Sequence, residues 1–259
     1  MLAIERRKLI MEALQEEKRV VVSELSKMYD VSEETIRRDL EKLEKEGLVV
    51  KTYGGAVVNE NTNVELPYVI RKKTNVLRKQ RIAELTAAMI SDGDRIMLDD
   101  STTAVFIAKK IKNKKNITLI TNSVEILLEL SDVTGWKIIS TGGRLHEGSL
   151  SLVGEQCERV LSRYHVDKAI ISCKGVDLHK GVWDSNENNA LVKRAMADSA
   201  GRVILAVDGS KLGCISFAKI CDMKDIATVV TDLPPDGEWQ RTFERQGIEC
   251  IYPLNKGRE

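Results

Sequence analysis

Two short stretches carry residue types that could do chemistry. In "SEETIRRDLEKLEKEG", residues 32–47, a helical period gathers Ile36, Leu40 and Leu43 on one face. Arg38 and Lys42 then lie opposite that face, with Thr35 and Arg37 flanking it. A helix presenting arginine and threonine in this way can enter the major groove of DNA, where a guanidinium reaches O6 and N7 of guanine through paired hydrogen bonds. In "RIMLDDSTTAV", residues 95–105, an apolar run ends in Asp99 and Asp100, and Ser101, Thr102 and Thr103 open a helical pattern. Hydroxyls and free backbone N–H groups at a helix N-terminus suit a phosphate. The carboxylates can accept hydrogen bonds from sugar hydroxyls.

The elements that must position the first stretch lie on either side of it. Residues 4–16 read as a helix with Ile10, Ala13 and Leu14 on one face, followed by a short β-rich "RVVV". Ser23 is the expected N-cap of a second helix whose buried face is Leu25, Met28 and Tyr29. Asp30 breaks it, and Ser32 caps the third helix, with Glu33 and Glu34 in the first turn where the dipole favours negative charge. Gly47 ends that helix. "LVVKTYGGAVV" then reads as a hairpin turning at Tyr53, Gly54 and Gly55. Two helices, a tight turn and a hairpin make a winged helix-turn-helix. The N-terminus of its third helix at Ser32, and the wing from Lys51 to Gly55, are expected to approach phosphates.

Downstream, helical patterns alternate with short apolar runs, the signature of an α/β domain with a mainly parallel sheet. Seven strands are expected: "DRIMLDD", "NITLITN", "WKIISTGG", "DKAIISCKG", "RVILAVDG", "ATVVTD" and "GIECIYP". In open α/β sheets ligands bind beyond the carboxyl ends of the strands. Those ends carry Asp99–Thr103, Asn122, Gly142 and Gly143, Lys174 and Gly175, and Asp208 with Lys211. Lys79, Lys174 and Lys211 can neutralise a phosphate. Glu187 and Lys193, on the opening turns of a helix, can close over a ligand. The expected organisation is a DNA-binding domain over 3–58, a linker over 59–74, an effector domain over 75–235 and a C-terminal extension of it over 236–259.

Composition narrows the classes. The chain has 259 residues, 42% hydrophobic and 31% charged, with a net charge of +1; this is a soluble globular composition, and any DNA-binding surface must be local. Residues 1–58 hold 11 basic and 12 acidic residues, so binding driven by bulk charge is not expected. No apolar run is long enough to span a bilayer, no signal peptide opens the chain, and a cytoplasmic location is expected. Five cysteines without a C-x-x-C pair, and three scattered histidines, indicate neither a disulfide framework nor a metal site. No cofactor is expected.

The stretch "VSELSKMYDVSEETIRRDLEKLEKEGLVVKTYGGAV" resembles the signature of the DeoR family of bacterial transcriptional regulators, V-S-x-x-T-I-R-R-D-L, then L-E-x-x-G and a G-G-A wing. The resemblance continues through Arg71, Asn75, Lys79, Gly93-Asp94, Asp99, Thr102-Thr103, Thr121-Asn122-Ser123, Gly142-Gly143, Glu187, Lys193-Arg194, Asp208 and Lys211, so it covers almost the whole chain. It implies an effector domain like ribose-5-phosphate isomerase, an operator read by the TIRRDL helix, and a phosphorylated sugar as effector. Two positions depart from the family pattern. Ser101 replaces the usual glycine before Thr-Thr, and Cys173-Lys174-Gly175 replaces a smaller turn, so the identity of the sugar stays open.

The expected function is a sequence-specific repressor of a sugar-catabolism operon, released from double-stranded operator DNA by the effector. A single recognition helix reads few base pairs, so a homodimer or homotetramer is expected. The alternative is a sugar-phosphate isomerase fused to a DNA-binding module, with Glu187 as the carboxylate base that enediol chemistry needs.

Overall fold

The computed structural model describes residues 1–58, 68–146 and 148–253. The chain forms two compact units, Met1–Leu66 and Pro67–Glu259.

The first unit comprises α1 (Ala3–Glu17), β1 (Arg19–Val21), α2 (Val22–Tyr29), α3 (Glu33–Lys45), β2 (Val49–Thr52) and β3 (Gly55–Val58). The strands form an antiparallel sheet in the order β1-β3-β2. Ile10, Leu14, Val22, Leu25, Ile36, Leu40, Leu43 and Leu48 bury the unit's core. Two expectations for α2 fail. Its N-cap is Val21, not Ser23, because β1 runs straight into the helix, with Val22 N–H donating to Gly54 O at 2.8 Å. Its buried face therefore starts at Val22, and Met28, about 90° from the middle of that face, is 67% exposed.

The second unit opens with α4 (Tyr68–Lys73) and α5 (Val76–Ala88). There follow β4 (Arg95–Leu98), α6 (Thr102–Lys110), β5 (Thr118–Thr121), α7 (Val124–Glu129), β6 (Lys137–Ser140), β7 (Arg144–His146), β8 (Ser151–Val153) and α8 (Glu155–Leu161). Then come β9 (Lys168–Ile171), β10 (Gly175–Asp177), β11 (Gly181–Asp184), α9 (Glu187–Asp198), β12 (Val203–Ala206), β13 (Ala218–Cys221), β14 (Thr228–Val230), α10 (Gly237–Gln246) and β15 (Glu249–Ile251). All seven expected strands pair in parallel, in the order β15-β14-β12-β9-β4-β5-β6.

Alternate residues of these strands feed two cores. Ile96, Leu98, Leu119, Ile170, Ile204 and Val230 meet Ile82, Ile107 and Ile126 of α5, α6 and α7. Met97, Ile120, Ala169, Ile171, Leu205 and Val229 meet Leu161, Met196 and Phe243 of α8, α9 and α10. A sheet covered on both faces needs continuous apolar strands, which is why the strands were legible as runs.

Other features were not legible. A second sheet, β10-β11-β13, and the hairpin β7-β8 are built from three- and four-residue strands of mixed polarity. Of the expected linker, residues 59–67 lie outside the described residues. Residues 68–73 instead form α4, whose Tyr68 is buried and donates its N–H to Gly148 O at 2.9 Å. The stretch expected as a C-terminal extension supplies α10 and the edge strand β15, and residues 254–259 lie outside the described residues.

Candidate DNA interface and effector site

In the first unit the Ser32 side chain caps α3, accepting from Thr35 N–H at 3.2 Å, and the two hydroxyls lie 2.9 Å apart. Arg37 and Arg38 project into solvent, their side chains 54% and 75% exposed, and each reaches one turn back, to Glu33 at 2.6 Å and Glu34 at 3.3 Å. Exposed pairs of this kind contribute little and break readily for a stronger acceptor. Lys42 is exposed on the same helix and Tyr53 stands fully exposed at the tip of the wing.

Two wing residues depart from expectation. Lys51 turns back to Glu41 at 3.4 Å and Glu44 at 3.6 Å. Gly55 is buried, and a Cβ on it would stand 2.0 Å from Val20 O. The close approach it permits is that of β1. Gly54, at φ +82°, makes the turn itself.

The residue missed here is Asp39. It is buried and accepts from Arg6 Nε of α1 at 2.5 Å, with Arg7 at 3.6 Å. Helical spacing could have found it, since positions 36, 39, 40 and 43 share one face. An aspartate on that face requires a cation.

In the second unit the chain crosses from one half of the sheet to the other between β4 and β9, and the expected residues converge near those strands' carboxyl ends. Asp99 accepts from Ser101 N–H at 3.1 Å and Ser172 N–H at 2.7 Å. Burial pushes its carboxyl above the ordinary range, against the pull of Lys193. Ser101 Oγ caps α6, accepting from Ala104 N–H at 3.0 Å, and Thr102 and Thr103 are buried beside it. Asn122 donates to Leu152 O at 3.1 Å. Among the described residues, Asp100 Oδ1 and Asn122 Oδ1 are buried with no hydrogen-bond partner. They follow the ends of neighbouring strands, since Leu98 of β4 and Thr121 of β5 are paired.

Lys193 is not a surface lysine. Its ammonium lies 2.6 Å from Asp184, 3.5 Å from Asp99 and 3.9 Å from Asp100, with the side chain 6% exposed. Burial alone would lower its pKa, but the three carboxylates outweigh burial and hold the charge firmly. Asp184 was missed because only the packing of β11 brings it there. Glu187, by contrast, is exposed at the first position of α9.

Basic residues act together at Lys79. Lys79 is buried, and desolvation brings its pKa down to about 7, with Asp208 opposing and Lys211, Arg71 and Lys174 adding to the fall. Each of these four charges acts on Lys79. Asp208 accepts from Ser210 N–H at 3.1 Å, in the 3₁₀ turn that ends at Lys211. Arg71, not among the expected site residues, joins from α4.

Three glycines serve the fold. A Cβ on Gly175 would stand 2.4 Å from Cys214 O, and one on Gly143 would stand 2.8 Å from Val153 O. Gly142 is exposed in a left-handed turn at φ +63°.

A helix-turn-helix with a wing, followed in the chain by a three-layer α/β unit whose strand ends gather hydroxyls, cations and acceptors, defines a DNA-binding regulator with its own sensor domain. Residues 6–62 match the DeoR-like helix-turn-helix domain and residues 74–233 the DeoR C terminal sensor domain. The chain is 42% identical to the HTH-type transcriptional regulator YulB of Bacillus subtilis, over 99% of both chains. It is 36% identical to the HTH-type transcriptional repressor GlcR of the same organism, over 93% of each. The chain belongs to the DeoR family of transcriptional regulators. Among solved structures, ribose 5-phosphate isomerase A of Methanocaldococcus jannaschii is 17% identical over 54% of this chain and 55% of that one, with a TM-score of 0.40. No helix among the described residues is long and apolar enough to cross a membrane.

Proposed function

We propose that the protein represses a sugar-catabolic operon, holding operator DNA through α3 and the wing, and that a phosphorylated sugar bound in the sensor unit releases it. One observation carries this reading. The Thr102 hydroxyl at the N-terminus of α6 and the Lys79 ammonium meet at the Arg71 carbonyl, while Asn122 presents a buried acceptor with no hydrogen-bond partner and Asp100 Oδ1 one met only by the Lys193 ammonium at 3.9 Å. A buried acceptor left unpaired costs about 1–3 kcal/mol. A ligand with an anionic end and hydroxyl donors would satisfy both parts together. Relatives named GlcR repressor and, in Escherichia coli, glycerol-3-phosphate regulon repressor support a sugar- or polyol-phosphate-linked role.

The isomerase reading is weaker. Glu187, the carboxylate expected as its base, is exposed, whereas a proton-abstracting carboxylate must lie within hydrogen-bond reach of its substrate.

The test is a titration of operator complexes with sugar phosphates and the matching free sugars. The phosphate ester should release the operator and the free sugar should not. Thr102→Ala/Thr103→Ala should need far more ligand for release, since each hydrogen bond to a charged oxygen contributes about 1.5–3 kcal/mol. Release by the free sugar at equal concentration would overturn the assignment.

A further inference from the structure

The helix by which the chain enters the sensor unit is held by the proposed effector-binding residues. α4 has six residues, far below the roughly 12–15 at which a helix holds itself in water, so its anchors keep it folded. At its start, Tyr68 N–H donates to Gly148 O at 2.9 Å. Along its length Lys72 pairs with Glu125 of α7. At its C-terminal end, Lys79 Nζ donates to Arg71 O and, at 2.7 Å, to Thr74 O. The same Arg71 carbonyl receives Thr102 Oγ1 at 3.5 Å.

A backbone carbonyl thus stands between the ammonium and the hydroxyl that a phosphate oxygen would use. The C-terminus of a helix is its negative end, and it repels an anion brought against it. The Arg71 carbonyl and a phosphate cannot share these donors without mutual repulsion.

We propose that α4 is a ligand-operated latch: an anion taking Lys79 and Thr102 displaces the Arg71 carbonyl, and the C-terminal turn of α4 lets go. α4 follows directly on residues 59–67, which lead from the winged helix, so its release alters the end of the segment that carries the DNA-binding unit. The inference rests on the phosphate reading of the Ser101–Thr103 turn, and goes beyond it by naming the element that responds.

The two ideas predict opposite behaviour for Lys79→Met in the full-length protein. If Lys79 only binds ligand, the variant keeps parental operator affinity and cannot be induced. As the latch, its loss weakens operator binding at least tenfold with no ligand present, and amides of residues 70–75 exchange faster. Lys79→Arg, which keeps the donors, should restore both, and Lys72→Met, outside the effector residues, should lower operator affinity in the same direction. Circular dichroism checks that each variant is folded. Amide exchange of the parent in inorganic phosphate, against chloride at equal ionic strength, separates the two readings. Protection at 103–105 with faster exchange at 70–75 supports the latch. Protection at 103–105 with α4 unchanged overturns the latch and leaves the phosphate reading standing. No protection at 103–105 counts against the phosphate reading and overturns the anion-operated latch with it.

Discussion

Lys193 of α9 and Asp184 of β11 meet at 2.6 Å, with both side chains 6% exposed. The pair joins the helix over the main sheet to the small sheet β10-β11-β13, and it draws Asp99 and Asp100 into one charged cluster. Deleting one partner of a buried pair strands the other, a loss of about 3–5 kcal/mol. Lys193→Met should therefore lower the unfolding free energy of the sensor unit by that amount, and Asp184→Asn by less, because its amide oxygen can still accept from the ammonium. A Lys193→Met protein as stable as the parent in urea would show that the cluster is not coupled to folding.

The same logic applies between α1 and α3. Asp39→Ala leaves the Arg6 guanidinium buried without its carboxylate, and should destabilise the first unit by about 3–5 kcal/mol. Arg6→Met/Asp39→Leu should recover most of that loss, since an apolar pair can replace a buried ion pair at little cost. Operator binding should fall with the single substitution because the recognition helix loses its fixed angle. Urea unfolding of the three proteins checks the first claim, and gel shift the second.

On the DNA side, Arg37→Ala or Arg38→Ala should remove about 1–3 kcal/mol of discrimination between operator and random sequence if the guanidinium reads a guanine. Glu33→Gln and Glu34→Gln free these arginines from their exposed partners and should slightly raise affinity at low salt. Lys51→Ala should have a smaller effect than a free wing lysine would, because Glu41 and Glu44 already draw its charge. Competition binding at two salt concentrations distinguishes these outcomes. Unchanged discrimination in the double arginine variant would remove α3 from the role of reader.

Lys79 sets a pH dependence. Its folded pKa of about 7 lies below the ordinary lysine value of 10.5, so between these values the unfolded chain holds a proton that the folded chain lacks, and stability rises with pH across that window. Below about 7 both states are protonated and the penalty is constant. A phosphate prefers the protonated lysine, so its affinity should fall as pH climbs above 7, approaching tenfold per unit. Calorimetric titration from pH 6.5 to 8.5 checks this, and Lys79→Arg should flatten the profile.

A two-copy operator complex follows from the short reach of a single recognition helix. Light scattering at operator-binding concentrations should return a dimer or tetramer; a monomer would contradict it.

The sequence by itself determined the elements whose signals are local. The seven parallel strands could be read because burial on both faces demands unbroken apolar runs, as in Arg95–Leu98 and Val203–Ala206. The cap at Ser32 and the exposed Arg37 and Arg38 followed from helical period and chain-local chemistry. Tertiary structure decided what depends on partners distant in the chain. Asp184 meets Lys193 only because β11 pairs with β10 and β13. Gly55 and Gly175 are needed because another strand or loop passes within a Cβ radius. A six-residue helix, α4, exists where composition suggested a linker because Lys79, Glu125 and Gly148 hold it from other elements. Local sequence can encode a period or a cap, but a six-residue helix and a buried charge have no stable state until the remainder of the chain supplies their partners.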